Sequence, residues 1–221
     1  MANEVILVAD LVKKYNGRST VLDGVTFTVD PGEFVMIYGK SGCGKTTLLN
    51  ILGGLDRPTS GEVAIDGRSV VGMSEDALAK LRLEKVGFVF QDFNLLMDLT
   101  VKQNVALPSL FSGRQSKDRV EELLKKLGID KMADEPSNRI SGGEAQRTAI
   151  ARAMMNNPRI ILADEPTGNL DSENTANVIA TFDLVRNDYG TTIVLATHDK
   201  ELAKHATKRI YLEDGKARVE G

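Results

Sequence analysis

Short runs of apolar residues, separated by polar turns, predict a protein built around β-strands. The nearly continuous runs lie at 34–38, 86–90, 160–163 and 192–197. Runs of this length without alternation are typical of parallel strands that are buried on both faces by helices. The pattern therefore predicts an α/β protein with a parallel sheet at its centre.

A different pattern precedes the first of these runs. Val25, Phe27 and Val29 alternate with polar residues, which predicts an antiparallel strand with one buried face, beside an earlier strand over 5–9. A polar turn over 13–17 is expected to join the two strands. The N-terminal part of the chain is thus expected to form an antiparallel sheet.

Apolar residues at helical spacing appear in two places. One helix is predicted to begin at Ser116 and to end at Gly128, and a second to begin near Ser172 and to end at Gly190. The first is expected to belong to a helical insertion between strands of the parallel sheet. The chain closes with a predicted hairpin around the turn at 214–215.

Composition and charge narrow the possible classes of protein. The 221 residues are 42% hydrophobic and 27% charged, as in an ordinary soluble globular protein. No apolar run reaches the roughly 18 residues of a transmembrane helix, and 1–4 lacks the basic start of a signal peptide. A single cysteine, Cys43, agrees with a reducing compartment. The net charge of -3 argues against a nucleic-acid partner, and we expect none.

The segment after the run at 34–38 matches a phosphate-binding loop. Gly39, Gly44, Lys45 and Thr46 have the spacing G-x-x-x-x-G-K-[ST], between a predicted strand and a predicted helix. Backbone N–H groups of such a loop and the positive end of the helix converge on an anion. Lys45 is expected to reach the β- and γ-phosphates, and the Thr46 hydroxyl to bind Mg²⁺. The expected contacts are Gly39, Ser41, Gly42, Cys43, Gly44, Lys45, Thr46 and Thr47. The alternative is a glycine-rich turn that contains a lysine by chance.

Polar side chains follow three of the buried strands, at the edge where ligands bind to α/β sheets. Asp164 is expected to hold Mg²⁺, and Glu165 to polarise the water that attacks the γ-phosphate. A charged turn before Pro166 is the alternative. His198 is expected to hydrogen-bond the γ-phosphate. Gln91 either places its amide beside Mg²⁺ or the attacking water, or is a surface glutamine.

A second possible anion cradle lies at Ser141-Gly142-Gly143, where a turn leads into a helix that continues through Met154. Ser141 supplies a hydroxyl, and the two glycines allow backbone N–H groups to approach phosphate oxygens closely. One nucleotide does not need two cradles.

The motifs together resemble those of the ATP-binding subunit of ATP-binding-cassette (ABC) transporters. They are the signature at Ser141-Gly142-Gly143, the Q-loop at Gln91, the Walker B strand from Ile160 to Glu165, the D-loop at Asn169-Leu170-Asp171, the switch histidine His198 and the adenine-stacking aromatic Tyr15. Without the resemblance, Tyr15 is a weak candidate for stacking on a base, because an aromatic residue near a turn is usually incidental packing. The resemblance implies ATP and Mg²⁺ as ligands. It also implies a head-to-tail dimer with a second copy of the chain, in which Ser141 of one copy closes over the ATP of the other.

The resemblance also implies the fold class and its division. We expect an α/β P-loop NTPase core with a mixed parallel sheet, an antiparallel β subdomain, and a helical subdomain that carries the signature motif. A single ABC ATPase domain would span 1–221. Its ATP-binding core would lie at approximately 1–90 and 156–221, and its helical subdomain at approximately 91–155.

Three segments, at 53–61, 88–96 and 168–171, are similar to the lipoprotein-release and macrolide-export subgroup of ABC proteins. Ile140 stands where leucine is commoner in the family, and Ala145 where glutamine is commoner. Neither is a phosphate-binding position, so these departures put the affinity of the dimer in question rather than the activity.

The resemblance implies an ATPase that powers a separate membrane permease from the cytoplasmic face of the membrane. The apolar loop at 93–97 would receive a helix of the permease, or would pack beneath the helical subdomain. One rival is an ABC ATPase that regulates a non-transport membrane partner in cell division. Another is an ABC ATPase that acts in DNA repair, and the net negative charge of the chain argues against this second rival. A nucleotide sensor without hydrolysis is disfavoured because Lys45, Asp164, Glu165 and His198 are all present.

Overall fold

The computed structural model describes residues 4–15, 19–113 and 116–220. The strands are β1 (Ile6–Tyr15), β2 (Ser19–Val29), β3 (Phe34–Tyr38), β4 (Ser60–Ile65), β5 (Arg68–Ser69), β6 (Val86–Phe90), β7 (Ile160–Asp164), β8 (Thr192–Thr197), β9 (Lys208–Glu213) and β10 (Lys216–Glu220). The α-helices are α1 (Lys45–Leu52), α2 (Glu75–Lys85), α3 (Val101–Ser112), α4 (Lys117–Lys126), α5 (Gly142–Met154) and α6 (Ser172–Tyr189). Shorter 3₁₀ helices span Asp130–Met132, Ser137–Arg139 and Lys200–His205.

The larger sheet has six strands in the order β10-β9-β3-β8-β7-β6. Neighbouring strands from β9 to β6 are parallel, and only β10 pairs antiparallel, at the edge. This confirms the parallel strands that the apolar runs predict. Because β3, β8, β7 and β6 are neighbours, the residues that follow them meet at one edge of the sheet.

The smaller sheet is antiparallel, as alternation predicts, with the strand order β2-β1-β4-β5. The expected turn at 13–17 is wrong for its first three residues, because β1 continues to Tyr15 and pairs Tyr15 with Ser19. Asn16 and Gly17 lie outside the described residues. The end of β1 is not predicted because Lys13 resembles a polar turn residue in the sequence. In the structure Lys13 is only 8% exposed, and its ammonium is bound by Asp56 at 2.5 Å.

Alternate side chains of β3 belong to two hydrophobic clusters on opposite faces of the larger sheet. Val35 and Ile37 pack in a cluster with the antiparallel sheet and α1. Phe34 and Met36 pack in a second cluster with residues of α3, α4, α5 and α6. Burial of one such side chain stabilises the fold by about 1.5–3 kcal/mol, so the strand that leads into the phosphate loop is held firmly from both sides.

The predicted helix ends are confirmed at α4 and α6. Ser116 caps α4 through its side chain, and Gly190 ends α6 with a left-handed φ of 65°. The apolar pattern does not predict α2, because only Leu78 and Leu81 of this helix are buried and it has no apolar stripe. Ser74 starts α2 by accepting a hydrogen bond from the Ala77 N–H group.

The C-terminal strands β9 and β10 form the predicted hairpin. Asp214 and Gly215 take left-handed φ angles of 48° and 76°, the conformation that a two-residue hairpin turn favours. Within the described ranges, no helix combines the length and apolarity that crossing a bilayer requires.

Candidate nucleotide-binding and catalytic site

The loop between β3 and α1 is shaped by close backbone contacts. A Cβ atom on Gly39 would lie 2.1 Å from the Leu212 carbonyl oxygen of β9, and Gly44 enters α1 with a φ of 106°. Both positions therefore require glycine. The loop and the first turn of α1 border a cavity of about 440 Å³ lined by Val21, Ser41, Gly42, Gly44, Lys45, Thr46, Thr47, Gln91, Glu165 and His198.

Lys45 lies within the loop, and its side chain is only 7% exposed. Its ammonium donates hydrogen bonds to the carbonyl oxygens of Gly39, at 3.0 Å, and Lys40, at 3.2 Å. The same nitrogen lies 3.7 Å from Glu165 Oε1. A buried cation that is bound mainly by carbonyl groups is well placed to attract an anion to the cavity.

Glu165 connects the lysine to the end of β8. Its Oε2 atom lies 2.9 Å from His198 Nδ1 and accepts a hydrogen bond from the His198 backbone N–H group at 3.3 Å. Glu165 has a left-handed φ of 45°, which costs a non-glycine residue about 1–3 kcal/mol. The conformation is held by hydrogen bonds from Glu165 N–H to Ala196 O at 2.8 Å and from Gly168 N–H to Glu165 O at 3.0 Å.

Asp164 supplies a buried carboxylate beside the loop. Its Oδ1 atom has no hydrogen-bond partner among the residues that the structure describes. Burial raises the pKa of Asp164, and the negative charge of Glu165 raises it further, whereas the Thr46 hydroxyl and Lys45 act in the opposite direction. An orphaned buried carboxylate oxygen next to a hydroxyl is a donor set that suits a hard cation such as Mg²⁺.

Gln91, after β6, lines the same cavity and is held by the segment after β7. Its Nε2 donates to Asn169 Oδ1 at 3.2 Å. Both residues belong to sequence motifs, but their contact is not predictable from the sequence, because no spacing along the chain relates residues 78 positions apart. The structure thus brings together the phosphate loop, Gln91, Glu165 and His198.

Tyr15 does not line the cavity and is 41% exposed. Its hydroxyl donates to Asp56 Oδ2 at 2.5 Å, a hydrogen bond that raises the pKa of Tyr15. The Lys13 ammonium lies 4.6 Å from the centre of the ring. Cys43 packs against the hydrophobic cluster around α1.

The signature residues lie apart from this cavity within one chain, since none of them lines it. Ser141 caps α5 and donates from its hydroxyl and its N–H group to Glu144 Oε2, at 2.7 and 2.8 Å, which lowers the pKa of Glu144. A Cβ atom on Gly143 would lie 2.1 Å from Asn174 Oδ1. A side chain at residue 143 would therefore have to displace the Asn174 amide, and no sequence motif indicates this contact.

The fold and the cavity define a P-loop nucleotide hydrolase. A family model described as "ABC transporter" matches residues 22–168. The chain therefore belongs to the ABC transporter family, and it is an ATP-binding ATPase of that family.

Two kinds of curated relative are similar to the chain. The lipoprotein-releasing system ATP-binding protein LolD of Blochmanniella floridana is 40% identical over 221 residues, which cover 97% of the chain and 94% of that protein. The macrolide export ATP-binding/permease protein MacB of Syntrophobacter fumaroxidans is 45% identical over 200 residues, 88% of the chain. The chain spans only 28% of that exporter, and 30% of a second MacB, from Bdellovibrio bacteriovorus.

Solved structures agree with this placement. A dimeric structure of a post-hydrolysis state of the ATP-binding cassette MJ0796, bound to ADP and Pi, has a TM-score of 0.88 and 41% identity, and covers 97% of each chain. The structure of cbiO1 from Clostridium perfringens has a TM-score of 0.90 at 27% identity, and covers 100% of this chain and 89% of that one.

Proposed function

We propose that the chain binds Mg²⁺-ATP at the cavity beside α1 and hydrolyses it with Glu165 as the general base. In this proposal the loop residues Gly39, Ser41, Gly42, Cys43, Gly44, Lys45, Thr46 and Thr47 hold the phosphates. The observation that carries the proposal is the meeting of Lys45, Glu165 and His198 at the phosphate loop. Glu165 Oε1 lies 3.7 Å from Lys45 Nζ, and Glu165 Oε2 lies 2.9 Å from His198 Nδ1.

The metal site of the proposal uses three oxygen donors. Thr46, Asp164 and Gln91 would hold Mg²⁺, which when bound neutralises phosphate charge. This assignment is supported by the buried Oδ1 atom of Asp164, which has no hydrogen-bond partner among the described residues. The carboxylate of Glu165 accepts a proton from the attacking water, and His198, hydrogen-bonded to it, holds the carboxylate in place.

Tyr15 and the three signature residues do not line the cavity, but they also belong to the proposal. The Tyr15 ring, fixed by Asp56, would stack on adenine. Ser141, Gly142 and Gly143 would complete the site of a second copy of the chain in a head-to-tail homodimer. The separation of the signature from the cavity within one chain, and the dimeric form of the related MJ0796 cassette, support an arrangement in trans.

The proposed partner is a membrane permease, and the proposed role is lipoprotein release or macrolide export, as the names of the relatives suggest. An apolar groove of about 750 Å³ runs between α2, α3 and α5, with Asn94 and Phe111 at its border. Phe111 is 77% exposed, and Leu96 and Met97, which follow Asn94 closely in sequence, are exposed as well. We propose that this groove receives the permease, and that the chain thereby lies on the inner face of the membrane.

In the proposal, one part of the loop at 93–97 packs beneath the helical subdomain and another part receives the permease. Leu95 is buried and packs with Phe93 against Ala145 and Ala149 of α5. Leu96 and Met97 remain exposed. In the proposal, the helical part at approximately 91–155 carries the signature, and the remainder of the chain is the ATP-binding core. The permease groove lies between the two, because α2 and β6 of the core line it together with α3 and α5.

The variant Glu165→Gln tests the proposed catalytic role. Without its base the chain should bind ATP with little change, hydrolyse it about 10²–10⁴-fold more slowly, and accumulate as a dimer in gel filtration when ATP is present. Glu121→Gln, the same change at an exposed carboxylate of α4, is the control. Normal hydrolysis by Glu165→Gln would show that Glu165 is not the base.

A further inference from the structure

We propose that Asn169 is a positioning residue that turns the side-chain carbonyl oxygen of Gln91 toward the metal site. The inference rests on the proposed role of Gln91 as a metal ligand. In this inference Asn169, after β7, orients the metal-binding side chain of Gln91, after β6.

The orientation follows from a chain of hydrogen bonds that starts at Asp92. Asn169 Nδ2 lies 3.1 Å from Asp92 Oδ1 and 3.4 Å from the Gln91 backbone oxygen. A carboxylate and a carbonyl only accept, so both contacts require the NH₂ group of Asn169 on that side. The Asn169 oxygen must then face the other way.

The next link fixes the glutamine. Asn169 Oδ1 accepts from Gln91 Nε2 at 3.2 Å, and because an oxygen acceptor requires a donor, Gln91 presents its NH₂ group to Asn169. The carbonyl oxygen of Gln91 is thereby turned away from Asn169. Gln91 lines the cavity together with Thr46 and Glu165, so this oxygen is the atom offered to a cation.

Gly168 provides the space for this arrangement. A Cβ atom at Gly168 would lie 3.0 Å from Gln91 Nε2 and 3.2 Å from Gln91 Cδ, which is tighter than an ordinary contact. The Gly168 N–H group also donates to the Glu165 carbonyl oxygen at 3.0 Å. The surface that receives Gln91 is thus tied to the residue proposed as the base.

The backbone beyond Gln91 is held by another residue, Arg152 of α5. Its guanidinium donates to the carbonyl oxygens of Phe93 and Asn94, two residues with left-handed φ angles of 60° and 49°. Loss of Asn169 would therefore leave the course of this loop supported and would release mainly the amide of Gln91. The terminal torsion of a glutamine has a broad, roughly two-fold profile, so an unguided amide offers oxygen or nitrogen to the metal.

Metal binding, measured apart from turnover, tests the proposal. Mn²⁺ bound in the presence of a non-hydrolysable ATP analogue is counted by electron paramagnetic resonance, and nucleotide affinity in EDTA is measured by calorimetry. Loss of one exposed hydrogen bond should weaken Mn²⁺ binding of Asn169→Ala about three- to tenfold, with nucleotide affinity in EDTA unchanged. Asn177→Ala, an exposed asparagine on α6, should bind Mn²⁺ as the unaltered chain does.

A double-mutant cycle shows whether Asn169 acts through Gln91. In a Gln91→Ala background, Asn169→Ala should weaken Mn²⁺ binding no further. If Asn169→Ala costs as much in that background as it does alone, the positioning role is wrong. If Gln91→Ala itself leaves Mn²⁺ affinity unchanged, the proposed ligand role of Gln91 fails first, which separates the two hypotheses.

Exchanging donor and acceptor between Asn169 and Asp92 separates the positioning role from a purely structural one. Asn169→Asp loses the donor to Asp92 and places two carboxylates together, so Mn²⁺ binding should weaken. The double variant Asp92→Asn/Asn169→Asp restores a donor and acceptor between the two positions and still offers an acceptor to Gln91 Nε2. It should recover most of the Mn²⁺ affinity, and no recovery would overturn the proposal.

Discussion

Asp56, in the loop after α1, joins two side chains of β1. Its carboxylate accepts hydrogen bonds from the Lys13 ammonium and the Tyr15 hydroxyl, each at 2.5 Å, and from the Arg57 N–H group at 2.7 Å. Burial alone would raise the pKa of Asp56, but the hydrogen bonds from Lys13 and Tyr15 outweigh it, and the pKa lies below its ordinary value of 3.8. The ring proposed to stack on adenine is therefore fixed by an ionised carboxylate.

Asp56→Asn should lower the free energy of unfolding by about 1–3 kcal/mol at pH 7, the range for a hydrogen bond to a charged group. Because the pKa is lower in the folded state, the ionised carboxylate stabilises the fold above the unfolded pKa, and this stabilisation is lost as the pH falls through the folded value. Urea unfolding of both proteins from pH 7 to the lowest pH at which both fold should show the difference shrinking.

Asp98→Asn is the matched control, because Asp98 is an exposed carboxylate. Its free energy of unfolding should stay within about 0.5 kcal/mol of the unaltered chain, as for most surface changes. A cost of Asp56→Asn that is independent of pH would contradict the assignment to the ionised form.

Individual site residues differ in how far the sequence predicts them. Lys45, Glu165 and His198 are each recognisable from a motif, and the structure brings them together at the cavity. The roles of Asn169 and Asn174 are not predictable in this way, since their contacts depend on loops that meet only in the fold. Their effect is geometric, and a spacing rule along the chain carries no information about it.

The signature helix α5 is fitted to the start of α6 by a contact at Gly143. Asn174 Oδ1 occupies the place where a Cβ atom would stand, 2.1 Å away. The Asn174 side chain is held there by Asp171, whose Oδ2 accepts from Nδ2 at 2.8 Å. Any side chain at residue 143 must displace this amide.

Gly143→Ala should therefore destabilise the chain by about 1–3 kcal/mol, as overpacking commonly does, although alanine favours helix. Asn174→Ala in the same chain removes the obstructing amide, so the double variant should be more stable than Gly143→Ala alone. Gly142→Ala is the control, because its Cβ atom would lie no closer than 3.2 Å to any neighbour, with Leu170 Cδ2 at that distance and Phe93 Cζ at 3.8 Å. Equal unfolding energies for Gly143→Ala and the double variant would exclude Asn174 as the cause.

Elements with strong periodicity are the ones that the sequence predicts well. The buried strands β3, β7 and β8 and the helices α4 and α6 have clear apolar patterns and clear ends. In contrast, the end of β1 is concealed by the buried Lys13, and α2 carries only two buried leucines. A polar residue that is buried by a partner distant in sequence, or a helix supported by few apolar contacts, gives no reliable pattern.

The two proposed anion cradles lie apart within one chain. The cavity beside α1 has Lys45 and Glu165 but no signature residue in its lining, and Ser141 hydrogen-bonds to Glu144 at the start of α5. The sequence alone predicts both cradles. Their pairing between two copies of the chain is implied only by the family resemblance. A head-to-tail dimer would use both.

Subunit mixing tests this arrangement. Ser141→Arg should leave each copy with an intact phosphate loop and a defective signature, and Lys45→Ala should do the reverse, so each variant alone should have little ATPase activity. A mixed dimer places the intact loop of one opposite the intact signature of the other, which restores one complete site. ATPase activity should therefore appear on mixing.

The control for mixing combines Ser141→Arg and Lys45→Ala in one chain. Mixed with either single variant, this double variant cannot form a complete site, so it should restore no activity. Differently tagged subunits, captured together in the presence of ATP, establish that mixed dimers form. If captured mixed dimers of the two single variants remain inactive, Ser141 does not complete the site of the other copy. Activity in the double-variant mixture would contradict the same arrangement, because hydrolysis would then proceed without one of the two cradles.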